Sequence, residues 1–226
     1  EEVLVSRMRE VMVQRKGKQV VFVTPHVTGS IDALVDQWLG AVGSTKRYRY
    51  EPFAHETIRK ANEQTFGRSD IPTYDFDGVD TIYSFGADFL ETWLSPVGFA
   101  RSFSRMRGSR EDGKRNGCTY IGPRLSMTAA NADHWVNVHP DMLGNLALSL
   151  VHVILARGLS RTSAADAARL TALVKGYAPD HMSWPTGLTV DRITELAAAF
   201  GSARSSLAVA GGPVVDGEYG AQTCVA

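Results

Sequence analysis

Apolar residues recur along this chain in two alternating patterns: short continuous runs, and longer stretches with helical spacing. The run Gln-Val-Val-Phe-Val-Thr at 19–24 is closed by Pro25 and Gly29, as expected of a strand buried on both faces of a parallel sheet. Ser30 then stands as an N-cap before Ile31, Leu34, Val35, Trp38 and Leu39, which share one helical face. Residues 47–51 alternate like a short strand, and 53–66 read as a helix ending at Gly67, where a C-cap glycine is wanted.

After a turn-rich stretch at 70–78, residues 79–85 form a third strand, with Gly86-Ala-Asp88 just past its end. The spacing at 93–106 predicts a helix, although Pro96 and Gly98 argue for a loop first. Residues 118–121 are a fourth strand, 135–138 a fifth and 143–155 an apolar helix. A Gly-Pro-Arg turn and a polar Ser/Thr loop at the carboxyl end of the fourth strand lie where open α/β sheets bind ligands. Repeated β-α-β alternation with short connections predicts a parallel, doubly wound sheet covered by helices. The later part changes character, with helices at 164–174 and 189–200 and a strand at 206–210 leading into Gly211-Gly-Pro213. That helix-to-strand unit reads as part of a second α/β layer, so a soft boundary near Leu159 divides an α/β domain at 1–158 from a partial unit at 159–226.

With 226 residues, 44% of them hydrophobic, the chain can bury a full core. Lys+Arg and Asp+Glu are equal at 24 each, so no global field draws the chain to nucleic acid or an anionic membrane. Basic residues do gather at 101–115, including Arg105, Arg107, Arg110 and Lys114, either as a solvated loop or as a docking surface for an anionic group. Cys118 and Cys224 offer no zinc or iron–sulfur spacing and demand no disulfide. No run approaches the roughly 18 apolar residues of a membrane helix, and the first residues do not read as a signal peptide. The chain begins without Met and ends in what reads as the first turn of another helix, so we expect a fragment of a longer polypeptide.

Candidate chemistry is sparse. Gly86 and Asp88 at one strand end, and Gly211 at another, either permit tight turns or let a backbone approach a nucleotide. Pro213 removes an amide that a phosphate-cradling loop would offer. Arg124, directly after a Gly-Pro turn, can reach a phosphate or purine edge with paired hydrogen bonds, or can form an ion pair, for instance with Asp133. Ser126, Thr128 and Asn131 can bond a ligand or satisfy local backbone groups. The histidines form no catalytic or metal site by spacing: alternation separates His134 from His139, His152 reads as a hydrogen-bonded core residue, and His181 falls in a connecting loop. No nucleophile, base and orienting acid are found together, so no catalytic residue and no metal ligand is assigned.

The passage Gly122-Pro-Arg124, Thr128-Ala129, Ala132-Asp133, together with the strand at 79–85 ending in Gly86-Ala-Asp88, resembles the molybdopterin oxidoreductases (the DMSO reductase family). Lys175-Gly-Tyr-Ala-Pro179, Thr186-Gly-Leu188 and Ile193-Thr-Glu-Leu-Ala197 follow in the family's order. The resemblance runs from about Gly17 to Gly220. It implies a Rossmann-like, mainly parallel sheet flanked by helices, and a cofactor region for a molybdenum bis-guanine dinucleotide near Gly86, Asp88, Arg124, Thr128 and Gly211.

Thr24 to Gly29, Tyr50-Glu-Pro52, Ala61-Asn62, Phe66-Gly67, Tyr74-Asp-Phe76 and Ala87-Asp-Phe-Leu90 resemble one branch, the molybdopterin-like subunits of alternative complex III and of periplasmic menaquinone reductase complexes. That branch implies no molybdenum cofactor in this chain, with iron–sulfur clusters elsewhere in the polypeptide or complex. It also implies iron–sulfur, cytochrome c and membrane quinone-module partners, on the periplasmic side of a bacterial inner membrane. Departures from the active pattern agree with it: Asp88 stands where the family has Asn, Gly122 where it has Asp, and Pro140-Asp-Met-Leu143 where it has Pro-Gly-Thr-Asp. The changes at 122 and 143 remove acceptors for the guanosine portions, and carboxylates at Asp88 and Asp141 repel a pyrophosphate unless paired. The rival expectation is an active bis-guanine-dinucleotide enzyme of polysulfide or thiosulfate reductase type; a third is a stand-alone nucleotide-binding module.

Overall fold

The structure is a computed structural model that describes all residues except 16–19, 26, 28, 51–54, 109–114 and 219. Two compact units emerge, Glu1–Ala54 and His55–Ala226.

The first unit contains helix α1 (Glu2–Arg15), which the sequence pattern did not announce, then strand β1 (Phe22–Thr24), helix α2 (Ser30–Ala41) and strand β2 (Arg47–Arg49). β1 and β2 pair in parallel, with Phe22 opposite Arg47 and Thr24 opposite Arg49. Gly29, at φ 71°, precedes α2 as its cap residue, so Ser30 is the first helical residue and not the N-cap. The nearly buried Arg47 bonds Asp32 at 2.6 Å and Asp36 at 2.7 Å, fastening β2 to α2. The expected beginning of β1 at 19, the end of β2 at 51 and the first residues of the helix at 53–66 lie outside the described residues.

The second unit opens with α3 (Glu56–Phe66), stopped by Gly67 in the left-handed region at φ 70°. Then come β3 (Thr81–Phe85), α4 (Pro96–Met106), β4 (Gly117–Ile121), the short α5 (Met127–Asn131) and β5 (His134–Val136). α6 (Leu143–Ala156), α7 (Ala164–Leu173), α8 (Pro179–Thr186), α9 (Val190–Ser202), β6 (Ser206–Ala210) and α10 (Gly220–Val225) complete it. The four strands form one parallel sheet in the order β5-β4-β3-β6. Thr81 to Phe85 face Gly117 to Ile121 on one side and Ser206 to Ala210 on the other.

Parallel strands bury both faces, and the central pair obeys: Ile82 to Phe85 and Cys118 to Ile121 are all buried. Alternation divides the core between the faces. Ile82, Cys118 and Val209 meet Phe99, Phe103 and Met106 of α4 together with Phe76, Phe89 and Trp93. Tyr83, Phe85, Ile121 and Val136 meet α6 and α9 through Leu146, Leu150, Val153, Ile193 and Leu196. On α6 the buried Leu143, Leu146, Leu150 and Val153 lie along one helical stripe. α9 is capped by Thr189, whose side chain accepts from Arg192 N, and is tied to the sheet where Tyr83 Oη donates to the Leu196 carbonyl at 2.9 Å.

Three expectations are corrected. The unit after residue 159 does not open a separate layer, because β6 pairs directly with β3 and α9 packs on α6; no boundary falls at 158/159. The helix at 93–106 begins at Pro96, after the loop for which Pro96 and Gly98 argue, in which Glu91, Thr92 and Trp93 amides all donate to the Asp88 carbonyl. The loop expected around His181 is helical as α8, and the polar Ser/Thr loop after β4 contains α5. His152 behaves as expected, its Nδ1 lying 3.0 Å from the Val174 carbonyl, and both cysteines are free thiols pushed up to about 12 by burial. Arg105 pairs with Asp77 and Arg107 with Asp133, so these members of the basic stretch are engaged; Arg110 and Lys114 lie outside the described residues.

Leu146 is fully buried, so Leu146→Ala costs about 2–5 kcal/mol in urea unfolding, whereas Trp184→Ala, at a side chain 93% exposed, stays within about 0.5 kcal/mol. Asp133 is partly buried, which opposes its charge, but Arg107 at 2.6 Å and the Cys118 amide at 2.7 Å outweigh burial and hold its carboxyl below the usual range. Its stabilisation is therefore complete above the ordinary Asp value of about 3.9 and is lost as pH falls through the lower folded value. Unfolding curves of Asp133→Asn should show reduced stability at neutral pH and a shallower acid limb than wild type.

Candidate functional site

The order β5-β4-β3-β6 contains one reversal: the chain runs outward from β3 through β4 to β5, then returns to the other side of β3 as β6. In open α/β sheets, ligands bind at the carboxyl ends of the strands that flank such a reversal. Because every ladder here is parallel, the loops after β3, β6 and β4 share that end of the sheet. They carry Gly86 and Asp88, Gly211 and Gly212, and Gly122 to Thr128. The five residues expected from the sequence, Gly86, Asp88, Arg124, Thr128 and Gly211, thus lie at the switch point or beside it.

Each of them is engaged by the chain itself. Gly86, at φ 69°, would direct a Cβ to within 1.8 Å of Val214 Cγ2. Gly211 would direct one to 2.1 Å from Trp93 Nε1, and Gly212, at φ 79°, to 2.9 Å from the Gly86 carbonyl. These glycines allow three segments of one polypeptide to meet, and the space in front of them is filled by Trp93 and by the turn at Pro213–Val215. Trp93 is 1% exposed, is stacked on Phe99 with centroids 5.3 Å apart, and contacts Tyr74 at 5.1 Å. Its indole N–H has no hydrogen-bond partner among the described residues.

Arg124 does not pair with Asp133, which is taken by Arg107. Its Nη2 donates to Asp88 Oδ2 at 2.8 Å and to Glu91 Oε1. The asymmetry of this triad is pronounced: the guanidinium side chain is 61% exposed, whereas the Asp88 side chain is 5% exposed. The second oxygen of Asp88, Oδ1, is buried without a hydrogen-bond partner among the described residues. Tyr120 lies close by, and burial first, then the negative charge of Asp88, push its phenol above the ordinary range. Thr128 is buried, and its Oγ1 accepts from the Leu90 amide at 3.0 Å, joining α5 to the loop after β3. Ser126 caps α5 by accepting from Ala129 N, and Asn131 donates to the Met127 carbonyl, so these polar side chains satisfy local backbone groups.

The sequence reading missed three contributors. Trp93 was counted as helical, although its place between the Asp88 turn and Pro96 was the available signal. Tyr120 fills the space beside Gly122: a Cβ there would lie 3.0 Å from Tyr120 Cε1 and 3.2 Å from its hydroxyl. Val214 gave no signal at all. Asp141 is exposed beside His139, with 3.5 Å between Oδ2 and Nδ1, and takes no part in the triad. Among the described residues no group of three or more His, Cys, Asp or Glu could hold a metal ion, and no helix is long and apolar enough to cross a membrane.

No family model matches the chain. Over 197 residues it is 27% identical to the menaquinone reductase, molybdopterin-binding-like subunit of Nitratidesulfovibrio vulgaris, an alignment covering 86% of this chain and 28% of that protein. It is 25% identical over 118 residues to the arsenate respiratory reductase molybdopterin-containing subunit of Chrysiogenes arsenatis, covering 52% of this chain and 13% of that subunit. Among solved structures, acetylene hydratase from Pelobacter acetylenicus shares the fold with a TM-score of 0.57 and 16% identity, over 98% of this chain and 30% of that one. The chain thus spans less than a third of the length of each of these proteins.

Gly211→Ala, which meets a buried indole, and Gly122→Asp, which must displace the Tyr120 ring, should each cost about 1–3 kcal/mol through overpacking. At Gly67, where a Cβ meets nothing within 4 Å, Ala should instead carry only the cost of the left-handed backbone, roughly 1 kcal/mol. Chemical denaturation of the three variants checks the ranking.

Proposed function

We propose that this chain, an α/β unit resembling the molybdopterin oxidoreductases, acts as the scaffold of a subunit in a membrane-associated respiratory quinone complex and carries no molybdenum cofactor. The observation that carries this reading is the occupied switch point. A dinucleotide lies across such a crevice with its phosphates against glycine backbone, yet here a single methyl group on Gly211 or Gly86 would already collide with Trp93 or Val214. Arg124, on the loop after β4, is bound to two carboxylates, and Gly122 offers no side-chain acceptor for a guanine. The residues present do not fit a pyrophosphate-bearing pterin.

The wider setting comes from the resemblance. The relative from Nitratidesulfovibrio vulgaris is named as a menaquinone reductase subunit that is molybdopterin-binding-like, which supports a place in a multi-subunit quinone complex; the partners we propose there are iron–sulfur, cytochrome c and quinone-module subunits. We place the complex on the periplasmic face of a bacterial inner membrane, with this subunit held there peripherally. Its contribution is to position electron carriers through a rigid parallel sheet, with no reaction of its own. The arsenate reductase relative keeps the enzymatic rival specific: an active bis-guanine-dinucleotide subunit would hold molybdenum or tungsten in one-to-one ratio.

Elemental analysis of the native complex, purified through a tag on this subunit, separates the two. The scaffold reading expects haem and iron–sulfur absorbance with far less than one molybdenum or tungsten per subunit. Stoichiometric metal with extractable pterin fluorescence would sink it.

A further inference from the structure

Resting on the cofactor-free reading, we infer that Asp88 and Glu91 serve as built-in anionic ligands of Arg124, closing a phosphate subsite that this guanidinium would otherwise offer. A guanidinium at the mouth of a switch-point crevice is suited to a phosphate or pyrophosphate, whose oxygens match its N–H donors. In this chain Nη2 is spent internally, on Asp88 Oδ2 at 2.8 Å and on Glu91 Oε1, and the two carboxylates offset the charge of the whole guanidinium. Two carboxylates against one guanidinium leave the triad with a net negative charge, so an arriving anion must both displace a ligand and overcome repulsion.

Two features separate this arrangement from an incidental surface pair. Arg124 reaches from a 61% exposed position to a carboxylate whose side chain is 5% exposed, so the contact is made on the inner side of the arginine, toward the sheet. An exposed pair would contribute little and would not call for a buried partner. The buried Asp88 carboxylate also lies within hydrogen-bonding reach of the Tyr120 phenol, whose proton burial and that charge help to retain. Loop bracing alone does not call for this arrangement, because Thr128 already ties the loop to α5.

The test uses isothermal titration of the purified native protein, of Asp88→Asn/Glu91→Gln, and of the same double variant with Arg124→Ala, with inorganic pyrophosphate and guanosine diphosphate as probes. Wild type should give no saturable binding. The double variant should gain at least about ten-fold in affinity for pyrophosphate, the gain shrinking as salt rises and vanishing when Arg124 is removed. Glu91→Gln alone, at a side chain 22% exposed, provides a milder variant that should show part of the gain if the double variant loses its native circular dichroism. A folded variant that binds no better than wild type, or a gain that survives loss of Arg124, overturns the inference and leaves the cofactor-free reading standing. Tight binding of guanosine diphosphate by wild type, abolished by Arg124→Ala, overturns both.

Discussion

A parallel sheet can leave neither face to water, and that constraint organises the second unit. β3 and β4 present buried side chains on both sides, so helices must cover both, and the chain meets this by running β3-β4-β5 one way and returning as β6 on the opposite flank of β3. The return creates the switch point. The crevice at Gly86 and Gly211 is thus a by-product of covering two faces with one chain, and it exists before any ligand is considered.

What varies is how such a crevice is filled. Here the polypeptide fills it with aromatic and aliphatic groups, Trp93 and Val214, packed against glycine backbone. The polar rim is closed by charge, with Arg124 bridging Asp88 and Glu91. Packing and electrostatics therefore act on the same place and in the same direction, one removing space and the other removing an available cation. The ends of three strands are thereby joined by the chain's own side chains.

The fold was largely legible because the relevant signals are local. Continuous apolar runs at 79–85 and 118–121 and helical stripes at 143–155 and 189–200 each announce their own element. Pairing was not legible in the same way: the strand at 206–210 looked like the start of another layer because nothing in its own residues says that its neighbour is β3, more than 120 residues earlier in the sequence. The same limit applies to the site. Gly86, Asp88, Arg124, Thr128 and Gly211 could be named from strand ends and a family-like wording, but their partners could not. Arg124 has Asp133 nine residues away, yet bonds Asp88 thirty-six residues back, because the loops after β3 and β4 are brought together only by the ladder. Trp93 was hidden by its resemblance to a helical core residue, and the unheralded α1 carries Val3, Leu4 and Val13 on exposed positions with no stripe to mark it.

Tyr120 and Gly122 also bear on how such a chain can drift. A Cβ at 122 would lie 3.0 Å from the phenol ring, which is fully buried and would have to give way by a few tenths of an ångström. A larger residue at 122 is then accommodated more easily once the side chain at 120 is smaller. A change at either position is therefore felt at the other, which makes the two a coupled pair at the mouth of the crevice.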